Sequence, residues 1–226
     1  MLTHITNTSE RTLAALVDSY ARSFDAREFY PVRVQFAGLS AGEVERWHRL
    51  GIAQKVFRAL RNPGHEVWAV RVGLGGGAGK IEEGSKEEGE EEEEGEEVAA
   101  VMILKHPNAP PDGPSPYDAE MERMPASAKE RHDELRRRSE ALKTAAGDGY
   151  HVSWLGTVPE HRRKGFGAAL IRYALERARA DGACLRLSTN SAENVAYYSR
   201  LGFEVAGYDE WEMGGEPFTW WVMVAQ

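Results

Sequence analysis

The strongest constraint on this chain lies in its second half. An apolar run through Val152, Trp154, Leu155 and Val158 enters the basic turn Pro159-Glu160-His161-Arg162-Arg163-Lys164-Gly165, and an Ala/Leu-rich helix follows over residues 165–180. A second strand at 183–188, a short helical run from about 192 to 201, and strands at 203–207 and 218–224 complete the stretch. Two β-α units followed by strands mark an α/β or α+β sheet.

The first half reads differently. Ser9 heads an apolar-periodic run through Leu13, Leu16, Val17 and Tyr20, the pattern of an N-capped amphipathic helix. Ser40, three residues before Glu43, forms a capping box for a second helix reaching about Leu60, where Asn62-Pro63-Gly64 stops it. Two helices thus precede the first clear strand, residues 65–72, whose expected antiparallel partner is 98–105. Between them lies a Gly- and Glu-dominated segment, about 74–97, that cannot bury apolar surface and is expected to be a disordered insertion at a hairpin tip. A Pro-rich and helical excursion follows at 107–146. It should yield a surface helix from about Ser127, with Arg136-Arg137-Arg138 on a solvated face. The whole, 1–226, reads as a single domain with two embellishments.

Composition enters through that insertion. The formal charge of −8 would disfavour a polyanionic ligand. Yet residues 82–97 hold eleven Glu against Lys86, which leaves the other 210 residues at +2. The single cysteine, Cys184, excludes an intramolecular disulfide and is expected as a small core residue. The seven histidines, His4, His48, His65, His106, His132, His151 and His161, are scattered singly, without metal-ligand spacing. No apolar run is long enough to span a bilayer, and residues 1–11 lack signal or transit character. The expectation is a soluble cytoplasmic protein without nucleic-acid or membrane partners.

Two glycine-rich segments compete as phosphate sites. Gly73-Leu74-Gly75-Gly76-Gly77-Ala78 satisfies a dinucleotide fingerprint formally, but a block of carboxylates follows where a helix N-terminus is needed, so it reads as linker. The turn 158–168 joins a strand to a helix, supplies glycines for close approach, and offers first-turn N–H groups without intrahelical partners.

Val158-Pro159 followed by Arg162-x-x-Gly165-x-Gly167-Ala168 resembles the acetyl-CoA loop of the GCN5-related N-acetyltransferases, the GNAT superfamily. Asn194-Val195-Ala196-Tyr197-Tyr198-Ser199-Arg200-Leu201-Gly202-Phe203 is similar to that family's Asn…Tyr…Gly-Phe signature. Together they cover about 150–226. The resemblance implies a three-layer α+β fold with a mixed, mostly antiparallel central sheet flanked by helices. It implies acetyl-CoA as co-substrate, no metal, and direct attack by a primary amine, expected to be a small molecule, in a ternary complex. The strand ending Leu155-Gly156-Thr157-Val158 would pair with the pantetheine arm. The backbone of Arg163, Lys164, Gly165, Phe166, Gly167 and Ala168 would hold the pyrophosphate, and Asn194 would contact CoA. Tyr198 matches the tyrosine that protonates the departing thiolate, a role a phenol with pKa about 10 suits. Tyr197 is the less favoured neighbour. For the base that deprotonates the amine, His151, Asp209 and Glu210 stand as alternatives. The aromatics Trp211, Phe218, Trp220 and Trp221 pack in the core or a homodimer interface, or line an acceptor pocket. A non-catalytic acyl-CoA sensor and an acidic-arm interaction module are the alternative functions.

Overall fold

The computed structural model describes residues 1–26, 29–73, 86–87 and 96–226. Central to it is β4 (Glu96–Lys105), whose residues 99–104 are all buried. A near-continuous apolar run suits a strand covered on both faces. β4 pairs antiparallel with β2 (His65–Gly73) on one side and with β5 (Tyr150–Thr157) on the other. The expected partnership of the two early strands is therefore present. Their connection lies outside the described residues, apart from β3 (Lys86–Glu87), and so does most of the expected disorder over 74–97. Residues 96 and 97 belong to β4 rather than to an insertion.

The chain also opens with a strand. β1 (Leu2–His4) pairs antiparallel with β2 and parallel with β3, which corrects the expectation that helices come first. Three residues are too few to declare a period. With β6 (Leu185–Thr189), β7 (Glu204–Met213) and β8 (Glu216–Ala225), the sheet order is β3-β1-β2-β4-β5-β6-β8-β7. Among the described residues only the pairs β1–β3 and β5–β6 run parallel.

Helices cover both faces. α1 (Glu10–Ser23) is capped by Ser9, whose Oγ accepts from Thr12 N–H at 3.1 Å. The capping box of Ser40 and Glu43 opens α3 (Ala41–Arg61). Both pack Leu16, Tyr20, Ile52 and Val56 against Val67, Val101 and Ile103. α6 (Phe166–Ala180) and α7 (Ala192–Ser199) cover the opposite face, where Leu170, Ile171 and Ala174 meet Met102, Leu104 and Val152. Burial of each such side chain contributes about 1.5–3 kcal/mol. Glu66 fastens α6 to β2, accepting from Trp68 Nε1 (2.8 Å) and Tyr173 Oη (3.0 Å) and lying 2.7 Å from His106 Nε2.

Two short helices escape sequence reasoning: α2 (Tyr30–Gln35), with Pro31 in its first turn, and α4 (Asp118–Met121). α5 (Ala126–Ala145) forms where a surface helix is expected, but it is not wholly solvated. Ser139 is buried and accepts from Trp220 Nε1 (3.1 Å), and Arg138 binds Asp209 (2.9 Å) and lies over the Trp211 ring. Phe218 joins Val34, Met213, Tyr30, Trp211 and Trp220 in a satellite core. The aromatic tail is packing in that respect. Among the described residues no helix is long and apolar enough to cross a membrane.

Candidate active site

β5 is paired from His151 to its end on one edge and only at its start on the other. Ala100–Lys105 of β4 runs beside residues 151–157, with Ser153 the extra residue of a bulge opposite Ile103 and Leu104. Toward β6 the pairs are Tyr150–Leu185, His151–Arg186 and Val152–Leu187 alone. From Ser188 onward β6 stays with β8 and leaves β5. Bulges bend and twist the strand that carries them, and here the parting of β5 from β6 begins at the bulge. Among the described residues the backbone of Leu155, Gly156 and Thr157 is thereby left with a free edge.

Gly156 has a further reason to be glycine. A Cβ there would sit 2.7 Å from Ser23 Cβ, 2.9 Å from Ser23 Oγ and 3.2 Å from Phe24 Cε2. The end of α1 presses directly on the open half of β5.

The open edge leads into the basic turn. Val158 is buried, Pro159–His161 forms one 3-10 turn, and Arg163 (φ +61°) and Gly165 (φ +86°) are left-handed. Gly165 caps α6, whose first intrahelical bond of this turn is Ala169 N–H to Gly165 O at 2.9 Å. The N–H groups of Phe166, Gly167 and Ala168 precede it and so have no acceptor within the helix. They converge with the helix dipole on the turn's mouth. Gly167 faces Thr157 and Tyr197: its Cβ position is 3.5 Å from Thr157 Oγ1 and 3.8 Å from Tyr197 Oη.

The three adjacent cations divide their work. Arg162 is a brace rather than a phosphate ligand: its Nη2 donates to Ser23 O (3.0 Å) and its Nε to Thr157 O (3.3 Å). Arg163 and Lys164 are exposed, and Lys164 Nζ lies 3.1 Å from His161 Nδ1. His161 Nε2 approaches Glu97 (3.2 Å), which also accepts from Arg22 Nη1 (2.6 Å), and Arg22 Nη2 reaches Glu160 (3.0 Å). Arg22 above all holds the Glu97 carboxyl below its usual range. Sequence alone does not reveal this network, because Glu97 ends the glutamate-rich run and its partners lie 64 and 75 residues away.

Tyr197 and Tyr198 take opposite roles in packing. The Phe203 N–H returns to Tyr198 O (3.1 Å) and the Gly202 N–H to Ser199 O (3.1 Å), with Gly202 at φ +94°. That is a Schellman stop, and the Tyr198 ring meets Phe203 at 5.8 Å as its hydrophobic contact. Burial raises the Tyr198 phenol well above its usual pKa, so it is protonated at neutral pH. Tyr197, also raised by burial, carries its hydroxyl to the Gly167 cradle. Asn194 is exposed, and its amide donates to Thr189 Oγ1 (3.2 Å), fixing α7 to the end of β6.

Of the candidate bases, Asp209 is bound by Arg138, and Glu210 receives Thr219 Oγ1 at 3.4 Å. His151 lies 3.3 Å from Ser153 Oγ. Burial first, then the charges of Lys143, Lys55, Arg186 and Lys105, holds its imidazolium well below the usual range. Cys184 is half-exposed rather than core; its thiol faces Asp148 O at 3.1 Å, and its backbone and Sγ fill the space beside Gly149. Among the described residues no group of three His, Cys, Asp or Glu side chains is placed to hold a metal.

The central parallel pair of the sheet thus parts beside a phosphate-type turn. Residues 136–205 match the family model of the acetyltransferase (GNAT) domain. That span holds the open edge, the basic turn, α6 and α7. The histone acetyltransferase HPA2 and related acetyltransferase of Corynebacterium glutamicum is 15% identical, with 98% of this chain and 94% of that chain covered at a TM-score of 0.57. A GCN5-related N-acetyltransferase (aminotransferase, class II) of Rhodopseudomonas palustris is 12% identical over 100% of this chain and 94% of its own, at 0.51. PH1933 of Pyrococcus horikoshii OT3 is 13% identical over 100% and 97%, also at 0.51. The chain has the GNAT acyltransferase fold, and residues 136–205 match the GNAT domain model.

Proposed function

We propose that this protein is an acetyl-CoA-dependent N-acetyltransferase that acts on a primary amine by direct attack in a ternary complex. The observation that carries the reading is the continuity of the open β5 edge with the unpartnered N–H groups at the start of α6. The free backbone of Leu155, Gly156 and Thr157 offers the amide pairing that a pantetheine arm requires. The N–H groups from Arg163 through Lys164, Gly165, Phe166, Gly167 and Ala168, beside buried Val158, suit a pyrophosphate, and Asn194 is our assignment for a further contact to CoA.

Acetyl-CoA supplies the activated acyl group; the chain's own residues position it and move protons. Tyr198, held protonated by burial, is our assignment for the acid that protonates the departing thiolate. Tyr197 is assigned to the cradle. His151 is neutral at physiological pH and faces the side of β5 away from α6, so it can relay the amine's proton, though its low pKa makes it a weak base. The reading treats the chain as one catalytic unit.

The test is release of free CoA from acetyl-CoA across an amine panel, with acetyl-CoA binding followed by calorimetry. Turnover with any amine supports the reading. Binding without turnover makes the protein an acyl-CoA sensor, and absence of binding removes the cofactor assignment altogether.

A further inference from the structure

Register brings together four basic side chains far apart in sequence. His65 pairs with Lys105, Lys105 with His151, and His151 with Arg186. Directly paired residues point to one face of a sheet. The neighbouring positions Val67, Ile103 and Trp154 belong to the core under α1 and α3, so this row lies on that same face. Lys55 of α3 completes it, with Nζ 5.1 Å from the centre of the Trp154 ring. Trp154 immediately precedes the open edge.

The charges here are not matched. Arg186 donates to the carbonyls of Lys143 (2.8 Å), Gly147 and Gly149, closing the end of α5. Lys143 is paired with Glu140 at 3.1 Å. Lys55 and Lys105 have no carboxylate partner among the described residues. Asp112 is the other acid nearby, 3.8 Å from His65 Nε2 and already accepting from Asn62 Nδ2 at 2.8 Å. His65 itself is 93% buried as a side chain, and neither ring nitrogen has a hydrogen-bond partner. A buried polar group left so costs free energy that a ligand can return.

We infer that Lys55, Lys105 and His65 form an anion site on the acceptor side of β5, and that the acceptor is an amine bearing a carboxylate or phosphate at its other end. The inference rests on the acetyltransferase reading and names its substrate class. An ammonium over an indole, without a counter-ion, is completed by an anion. Burial, then Lys143, brings the Lys55 pKa down to about 7, which the more weakly acting Asp112 and Glu140 do not offset. His65, held neutral by burial, retains one N–H to donate. Lys105 pairs with His151, and from His151 to Leu155 is four residues, on the order of 13 Å of strand, so an acceptor with its anion at Lys105 and its amine between His151 and Leu155 spans that distance or less.

The test compares 6-aminohexanoate, 6-aminohexyl phosphate, hexylamine and 1,6-diaminohexane as acceptors, beside calorimetric binding of glutarate and inorganic phosphate. The acidic amines are expected to give the highest kcat/KM, and the better of the two identifies the anion. Lys55→Met and Lys105→Met are each expected to reduce the preference for acidic over neutral amine by about 10- to 100-fold, the scale of one lost hydrogen bond to a charged group. Lys55→Arg should retain most of it, which separates charge from folding. Equal or better turnover of hexylamine or the diamine would overturn the acidic acceptor while leaving the acetyltransferase reading intact. Absence of CoA release with every amine, acetyl-CoA still binding, would instead overturn that reading, and this inference with it.

Discussion

Replacing Gly156 by alanine probes the junction of cofactor edge and N-terminal helix. The added Cβ would lie 2.7 Å from Ser23 Cβ and 3.2 Å from Phe24 Cε2, whereas carbon atoms rest at about 3.5–4.0 Å. Something must move by close to 1 Å. Ser23 is not free to yield: its Oγ donates to Ser19 O at 2.8 Å, and its carbonyl receives Arg162. Overpacking of this kind costs about 1–3 kcal/mol, or a Tm lowered by roughly 2–12 °C at this chain length. Because Arg162 also holds Thr157 O, displacement of Ser23 should disturb the basic turn and weaken acetyl-CoA binding in the same variant. Thermal unfolding and calorimetry of Gly156→Ala measure both. Adding Ser23→Gly should recover part of the stability, less the ~1 kcal/mol that glycine costs in a helix. An unchanged Tm and an unchanged acetyl-CoA affinity would refute the contact as the reason for this glycine.

Tyr198→Phe keeps the contact with Phe203 and is expected to lower kcat by about 10²–10⁴-fold with acetyl-CoA affinity preserved. Tyr197→Phe should mainly weaken acetyl-CoA binding, and the reverse pattern in steady-state and binding measurements would exchange the two roles. Gly202→Ala places a side chain at φ +94° in otherwise open space, so denaturant unfolding should register a loss of about 1–2 kcal/mol from backbone strain alone. Lys55, at about 7 in the folded chain against 10.5 unfolded, gives the unfolded state the extra proton between those values. Its contribution to stability therefore rises with pH from about 7 to 10.5, by at most ~1.4 kcal/mol per pH unit. Lys55→Met should flatten that rise relative to the parent in urea titrations. Finally, deletion of residues 75–95 should preserve the fold and acetyl-CoA binding, whereas Glu97→Gln, which weakens the hold on Arg22 and His161, should reduce that binding by calorimetry.

Features set by neighbours in sequence were legible without a structure. Ser9, and Ser40 with Glu43, cap helices because capping is completed within three residues. The turn around Gly165 and the Tyr198-to-Phe203 helix stop are likewise local, which is why both stood out as motifs. Local logic also misassigned some residues. Arg162 stands beside Arg163 and Lys164 in sequence yet binds carbonyls on α1 and β5, and Glu97 ends the acidic run in sequence yet pairs with Arg22 and His161.

What the sequence determined by itself is the order of the longer strands and helices, though not the short β1, β3, α2 and α4, together with the capped helix starts and the phosphate-type turn, all governed by backbone chemistry over a few residues. Tertiary structure alone decided which edge of β5 stays open, why residue 156 must be glycine, and that His65, Lys105, His151 and Arg186 form one row beneath Lys55. Strand register and helix docking set those relations, and they join residues separated by tens to more than a hundred positions, a distance at which sequence patterning carries no phase.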